Sequence, residues 1–320
     1  MSNQATATDF LLLGFSEVWE LQILHFVVFL VVYLVALVGN LLVITAVALD
    51  HHLDTPMYFF LMNLAILDLG SISVTVPKSM TNSLMNTRSI SYYGCIAQVF
   101  LFLFLISADL ALLTVMAYDR YVAICRPLHY ERVMNRGACV QMAASAWISG
   151  ILCSALHTGN TFALTFCGDN TVDQFFCEIP QLLKLFCSDL YLNEVGFITF
   201  GVCLGLGCFV FMIVSYVQIF KTVLRIPSEQ GRHKVFSTCL PHLIVITMFL
   251  STSSFAYLKP TSSSTSGLDL LVAVLYSMVP PVTNPIIYSM RNKEIKNAVK
   301  KMIGWRLFTK NKRTVFLPRP

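Results

Sequence analysis

Long apolar stretches with almost no charge recur along this chain, separated by short polar segments. They cover roughly 22–49, 57–79, 93–119, 139–158, 196–220, 236–258 and 268–290. At about 1.5 Å of rise per residue, each is long enough to cross roughly 30 Å of hydrocarbon as a helix. Each must be helical, because lipid offers no partner to a backbone N–H or C=O. The pattern predicts an all-α membrane protein, a seven-transmembrane helix bundle. Past the last stretch, Ile295, Val299, Met302 and Ile303 repeat at helical spacing among Lys293, Lys296, Lys300 and Lys301. That reads as a short amphipathic helix on the inner face, where anionic membrane lipid attracts lysine. Residues 310–320 read as disordered.

Composition agrees. Of 320 residues, 56% are hydrophobic and 12% charged, about half the charge of a soluble domain. A very apolar soluble helical protein is set aside on that ground. The basic residues orient the bundle. The side holding the N-terminus has Lys78, Arg88, Lys184 and Lys259; the other holds the remaining eighteen of twenty-two, ten of them from Arg291 onward. The tail side is expected to be cytoplasmic, giving an extracellular N-terminus at 1–21, a receptor-sized membrane domain at 22–290 and a cytoplasmic tail at 291–320. The net charge of +5 marks this inner face and gives no reason to invoke nucleic acid. Residues 1–20 lack Lys and Arg, and the apolar run Phe10–Leu13 is too short for a signal peptide, so the first span is expected to act as the insertion signal.

Chemistry is sparse. No phosphate loop, zinc-type cysteine spacing or nucleophile elbow occurs, so no enzyme is expected. His51-His52 reads as an exposed loop pair. Asp68 and Asp109 fall at similar depth near the membrane midplane, with Asn40 and Asn284 at hand. Two carboxylates there cannot both be charged without a cation or proton between them. One reading is a sodium or proton site; the other is a polar core with one acid protonated. Cys95 and the loop cysteines Cys167, Cys177 and Cys187 lie on the outer side, where three pairings are open. Cys125, Cys139, Cys153, Cys203, Cys208 and Cys239 read as free core thiols.

Several runs together resemble one family, the odorant receptors within the rhodopsin-like G protein-coupled receptors. They are PMYFFL at Pro56–Leu61, MAYDRYVAICRPLHY at Met116–Tyr130, Ser215-Tyr216, KVFSTCLPH at Lys234–His242 and PIIYSMRN at Pro285–Asn292. The sequence departs from the family pattern at Leu250, where an aromatic is usual, and in lacking an N-terminal glycosylation sequon. The resemblance implies a Cys95–Cys177 bridge, which leaves Cys167–Cys187 as a second. It implies a G protein switch formed by Asp119, Arg120 and Tyr121 with Tyr216, Asn284, Pro285 and Tyr288. It also implies a ligand chamber lined by Phe102, Leu103, Ile106, Ser107 and Leu110 of the third span. Phe197, Phe200, Gly201 and Leu204 would face them from the fifth, Leu250, Ser253, Ser254 and Tyr257 from the sixth, and Val274 and Ser277 from the seventh.

That lining is apolar and aromatic, with a few hydroxyls and no formal charge. A buried charged ligand without a partner costs several kcal/mol, so the expected ligand is a small, neutral, lipophilic odorant. The implied protein binds volatile odorants and activates a heterotrimeric G protein of the stimulatory olfactory type. Cyclic AMP would rise, and the site of action would be the plasma membrane of olfactory neuron cilia. No cofactor is expected, unless a sodium ion occupies the Asp68 and Asp109 site. A seven-span transporter or channel is the alternative; it needs a continuous polar path, and the intramembrane charges stop at Asp68 and Asp109.

Overall fold

The computed structural model describes residues 9–12, 18–85, 87–164, 166, 170–185, 191–225, 230, 239–240, 243–248, 250–251, 254, 267–291 and 294–301. Side chains at 191–195, 197–198, 267–269 and 288–291 lie outside that description. The helices are α1 (Trp19–Leu49), α2 (Pro56–Met85), α3 (Tyr92–Cys125), α4 (Arg136–Ala163), α5 (Tyr191–Leu224), α6 (described in parts between 239 and 254), α7 (Gly267–Arg291) and the short α8 (294–301). Among the described residues, six are long and apolar enough to cross a membrane. Large apolar side chains stand exposed along α1 (Val27, Val31, Leu34, Val38) and α5 (Val210, Val214, Val217). Such stripes suit lipid and would aggregate in water. The chain forms the seven-transmembrane bundle that the apolar pattern predicts.

Helix ends follow from local sequence. The Ser91 hydroxyl accepts from the Gly94 amide to cap α3, and Asn135 accepts from the Ala138 amide to cap α4, each satisfying one of the free N–H groups of a first turn. Pro56 opens α2, where its missing N–H is not needed. Inside α7 the same chemistry has to be repaired. Pro285 cannot donate to the Pro281 carbonyl one turn back, and Asn40 of α1 donates to that oxygen instead, at 2.9 Å. The neighbouring Gly39 makes room: a Cβ there would lie 3.0 Å from the Pro285 ring. Gly150 does the same for α3 and α4, since a Cβ would meet the Phe104 carbonyl oxygen at 2.8 Å.

The principal core spreads over α2, α3, α4 and α5 and takes in α8, whose Ile295 and Ala298 are buried. Val299 packs beside them, while Met302 and Ile303 of the predicted repeat lie outside the described residues. Of the free cysteines, Cys139 and Cys239 are buried, but Cys203 is exposed on α5. It is therefore no core thiol; it stands on the outward side, beside exposed Phe200 and Leu204.

The opposite end of the bundle carries a feature that the helical pattern conceals. Strands β1 (Asp9–Leu12), β2 (Ser89–Ser91) and β3 (Thr171–Val172) form a sheet in the order β2-β1-β3. β1 runs antiparallel to β2, with Phe10 opposite Ile90, and parallel to β3, with Leu11 opposite Thr171. Phe10 is fully buried against Tyr92 and Phe166, at ring distances of 6.0 and 5.4 Å. Under the sheet the Cys95–Cys177 disulfide is closed, with Cα atoms 5.5 Å apart. Cys167 and Cys187 lie outside the described residues. Among the described residues β1 alone joins β2 to β3 in this sheet, and the Leu11 amide donates to the Asn170 carbonyl at 2.7 Å. Leu11→Pro removes that donor while its side chain, 48% exposed, has little packing to lose. Thermal unfolding of purified protein should show the proline variant melting several degrees lower and Leu11→Thr unchanged; equal melting would mean the strand is not a structural clamp.

Candidate functional site

Three polar or aromatic clusters lie along α3. The first is at the end nearest α8. Asp119 is 1% exposed and grips Arg120 through two bonds to one oxygen, from Nε at 2.9 Å and Nη2 at 2.5 Å. Its other oxygen accepts from the Tyr130 hydroxyl at 2.8 Å. Burial and then the Asp119 carboxylate push the Tyr130 phenol far above the ordinary tyrosine range. It therefore stays protonated and donates throughout the physiological pH range. Cys239 of α6 is fully buried near the guanidinium. Tyr216 of α5 is 2% exposed in the same core, and Tyr121 packs beside it at the edge. The side chain of Tyr288 lies outside the described residues. Tyr58 of α2 donates to Glu294 of α8, which ties the amphipathic helix to this end.

The second cluster is midway. Asn284 of α7 donates to both Asp68 oxygens, at 3.2 and 2.9 Å. Asp109 of α3 is near enough for the two carboxylates to interact. Among the described residues, Asp109 Oδ1, Asn284 Oδ1 and Asn40 Oδ1 are buried without a hydrogen-bond partner. Buried unsatisfied oxygens are rare in native proteins. The set is all oxygen, the donor type hard cations take, and it contains only two acids.

The third cluster is at the sheet end. Phe102, Ile106 and Val274 come together there with Tyr276 of α7. Ser277 is buried on α7 and donates to its own helix, at the Ala273 carbonyl. Other predicted lining residues go elsewhere. Leu103 packs under the sheet, Ser107 lies beside the Cys153 thiol of α4, and Leu110 and Leu250 join the deeper core. Gly201 receives His157 of α4, whose Nε2 lies 2.9 Å from the position of a Cβ. Phe200 and Leu204, at 55% and 50% exposure, face outward, and Ser254 is exposed. The inward stripe of α5 is Met212, Ser215, Tyr216, Ile219 and Val223; carried back by helical spacing it reaches Gly205 and Gly201, one position off Phe200 and Leu204. The side chain of Phe197, and Ser253 and Tyr257 entirely, lie outside the described residues.

A bundle with an Asp–Arg pair at one end, acids at its middle and an uncharged aromatic cluster at the other has the form of a receptor. The sequence model of the olfactory receptor family matches residues 29–306. The chain belongs to the olfactory receptor family. Human olfactory receptor 14I1 is 54% identical over 310 residues, which is 97% of this chain and 98% of that one. Human olfactory receptor 14A16 is 52% identical, over 97% and 100% of the two chains. Human olfactory receptor 5B12 is 45% identical, over 95% and 97%. This olfactory receptor is a multi-pass membrane signalling protein and not an enzyme.

Some site residues escaped the sequence reading. Tyr130 sits inside the quoted third-span run, yet its bond to Asp119 closes only because the chain turns back through Pro127–His129. Gln98, which accepts from the Cys177 amide at 2.8 Å and donates to the Val74 carbonyl of α2 at 2.9 Å, gave no signal beyond being polar in an apolar span. Tyr130 donates to a charged oxygen, a bond of the kind that contributes about 1.5–3 kcal/mol. If 1 kcal/mol of it favours the closed state, Tyr130→Phe raises basal signalling by roughly fivefold. Basal output per receptor at the cell surface measures this; a value equal to wild type would remove Tyr130 from the switch.

Proposed function

We propose that this olfactory receptor sits in the plasma membrane of olfactory neuron cilia with its N-terminus and sheet outside. In this reading it binds small, neutral, lipophilic odorants and activates a stimulatory olfactory-type G protein, raising cyclic AMP. The observation that carries the ligand class is the uncharged, largely aromatic cluster at the sheet end, where the reading places the ligand chamber. Phe102, Ile106, Val274 and Tyr276 offer rings and alkyl groups, and Ser277 spends its proton on its own helix. An ammonium or carboxylate brought there loses its hydration and finds no counter-charge among these residues. Each buried CH₂ of a neutral odorant contributes roughly 0.8 kcal/mol. After association costs, eight to ten carbons give affinity of about micromolar strength.

Signalling follows from the other end. Arg120 is held by a carboxylate that is itself fully committed, to Arg120 on one oxygen and Tyr130 on the other. Freed of Asp119, the guanidinium becomes a planar five-donor group able to meet carbonyls of a G protein helix. A ligand acts only by binding the open arrangement more tightly than the closed one. Tyr216, Asn284, Pro285 and Tyr288 are assigned to supporting the open form. The test is an odorant panel applied to cells that report cyclic AMP, with polyamines and amino acids as charged controls. Neutral odorants should raise cyclic AMP, and Arg120→Ala should abolish the response while retaining odorant binding. Activation by charged ligands alone, or normal signalling from Arg120→Ala, would overturn the reading.

The midplane cluster is assigned to holding the inactive state. Two buried acids near enough to interact call for a cation or a shared proton between them, and the unpartnered oxygens of Asp109 and Asn284 suit sodium. Asp68→Asn and Asp109→Asn should each change basal signalling several-fold. The wild-type basal level should fall as sodium replaces choline in the assay buffer. A proton in place of sodium would abolish that sodium dependence but keep the effect of the variants; unchanged output in both variants would leave the pair as structural polarity.

A further inference from the structure

The loop between α4 and α5 puts two of its own rings into the bundle. Phe175 and Phe176 are 2% and 0% exposed although neither belongs to a helix. The Phe176 ring sits 5.0 Å from Phe102 of α3 and 6.5 Å from Tyr276 of α7, and Phe102 and Tyr276 lie 6.1 Å apart. Phe175 lies tilted behind it at 4.8 Å and reaches Phe29 of α1 at 5.8 Å. These are edge-on and tilted pairings of the favourable kind. The loop is secured for the purpose at both ends. Ahead of the rings, β3 is zipped to β1, and the Gln174 amide donates to the Val172 carbonyl at 2.7 Å. Behind them, Cys177 is bound to Cys95 and its amide donates to Gln98.

We propose that Phe176 is the receptor's own occupant of the α3/α7 side of its ligand chamber, a tethered aromatic group filling a ring-sized space that a free ligand would otherwise take. The proposal deepens the odorant reading and rests on its placement of the chamber at Phe102, Ile106 and Val274. In this structure the ring bridges α3 and α7 while Asp119 holds Arg120, so it belongs to the closed arrangement. It limits the size of the odorant that the chamber admits, and it restrains the switch.

Removing the ring leaves an enclosed apolar hole lined by Phe102, Phe175, Val272 and Tyr276. Enclosed apolar cavities of about 150 Å³ stay dry and take up benzene-sized guests, and a guest that binds only the folded state raises its melting temperature. The test uses the purified full-length receptor and toluene. Phe176→Ala should melt several degrees below wild type, and saturating toluene should recover at least half of the loss. Wild type should not respond. Phe166→Ala, which truncates a half-buried ring beside the sheet and opens only a surface notch, should be destabilised without rescue. Phe176→Leu, the fallback if the alanine variant does not fold, should melt between the two and be raised less. In cells, Phe176→Ala should show raised basal cyclic AMP per surface receptor, lowered again by toluene. Equal toluene shifts in wild type and variant, or none in either position-176 variant, would overturn the proposal. Toluene rescue of melting with cyclic AMP like wild type would keep the plug and remove its restraint on the switch. Silence of every receptor toward every odorant would instead count against the stimulatory coupling proposed above.

Discussion

Hydrocarbon leaves a polypeptide no one else to bond with, and the rest of this molecule answers to that constraint. It makes the spans helical, and it makes each interruption of a helix a debt in hydrogen bonds that side chains must settle. α7 shows the consequence most clearly. Three prolines within Pro280–Pro285 strip donors from the ladder, and Asn40 restores one by crossing from α1 to the Pro281 carbonyl. The repair fixes where α1 must lie, and Gly39 lets it lie that close. Asn284, in the same loosened segment, is brought against Asp68. The polar cluster at the midplane therefore grows out of a backbone problem: the residues that mend α7 also assemble the site.

The same constraint explains what can be read without coordinates. A charge-poor span is visible because no other environment tolerates it, so α1 to α5 and α7 stand where the apolar stretches put them, lengthened by a turn or so at ends that reach past the hydrocarbon. α8 shows through the spacing of Ile295 and Val299. What escaped was held by contacts between segments far apart in sequence. β1 is four residues long, and its alternation of exposed and buried positions is too brief to separate from chance. Phe175 and Phe176 lie in a polar loop and look like any exposed pair until the disulfide and sheet turn them inward. Phe200 and Leu204 failed for a different reason. Nearly every residue of α5 is apolar, so periodicity cannot tell its lipid face from its inner face, and a shift of one residue rotates the stripe by about 100°.

Polar residues in α3 escaped that ambiguity, and they show how the clusters relate. Cys95, Gln98, Phe102, Asp109 and Asp119 are all among its buried residues, and with buried Leu105, Leu112 and Met116 between them they form one continuous inner stripe at intervals of three and four. From Phe102 to Asp119 is seventeen residues, about 25 Å of helix. The helix is clasped from the side by α4, with Gly150 against the Phe104 carbonyl and the Ser154 hydroxyl donating to the Phe100 carbonyl at 2.5 Å. A rod so held has few ways to respond to a change of packing at its sheet end. Were it to rotate or slide, it would do so as a unit, and what lies on the same stripe would move with it.

That geometry puts a demand on any ligand. Filling the chamber does nothing to Arg120 unless the filled chamber prefers a different setting of α3 against α7. The aromatic pairings of Phe102, Phe176 and Tyr276 supply such a preference, because ring contacts depend on angle as well as distance and cannot all be kept when one helix turns. The acids lie between. A rotation of α3 that carried Asp109 away from Asp68 would change what the space between them can hold, and under the proposed function the charge balance there would set how readily the helix turns. In the function proposed above, affinity at the sheet end and restraint at the midplane would act on the same coordinate, and the grip of Asp119 on Arg120 and Tyr130 is where that coordinate would be read.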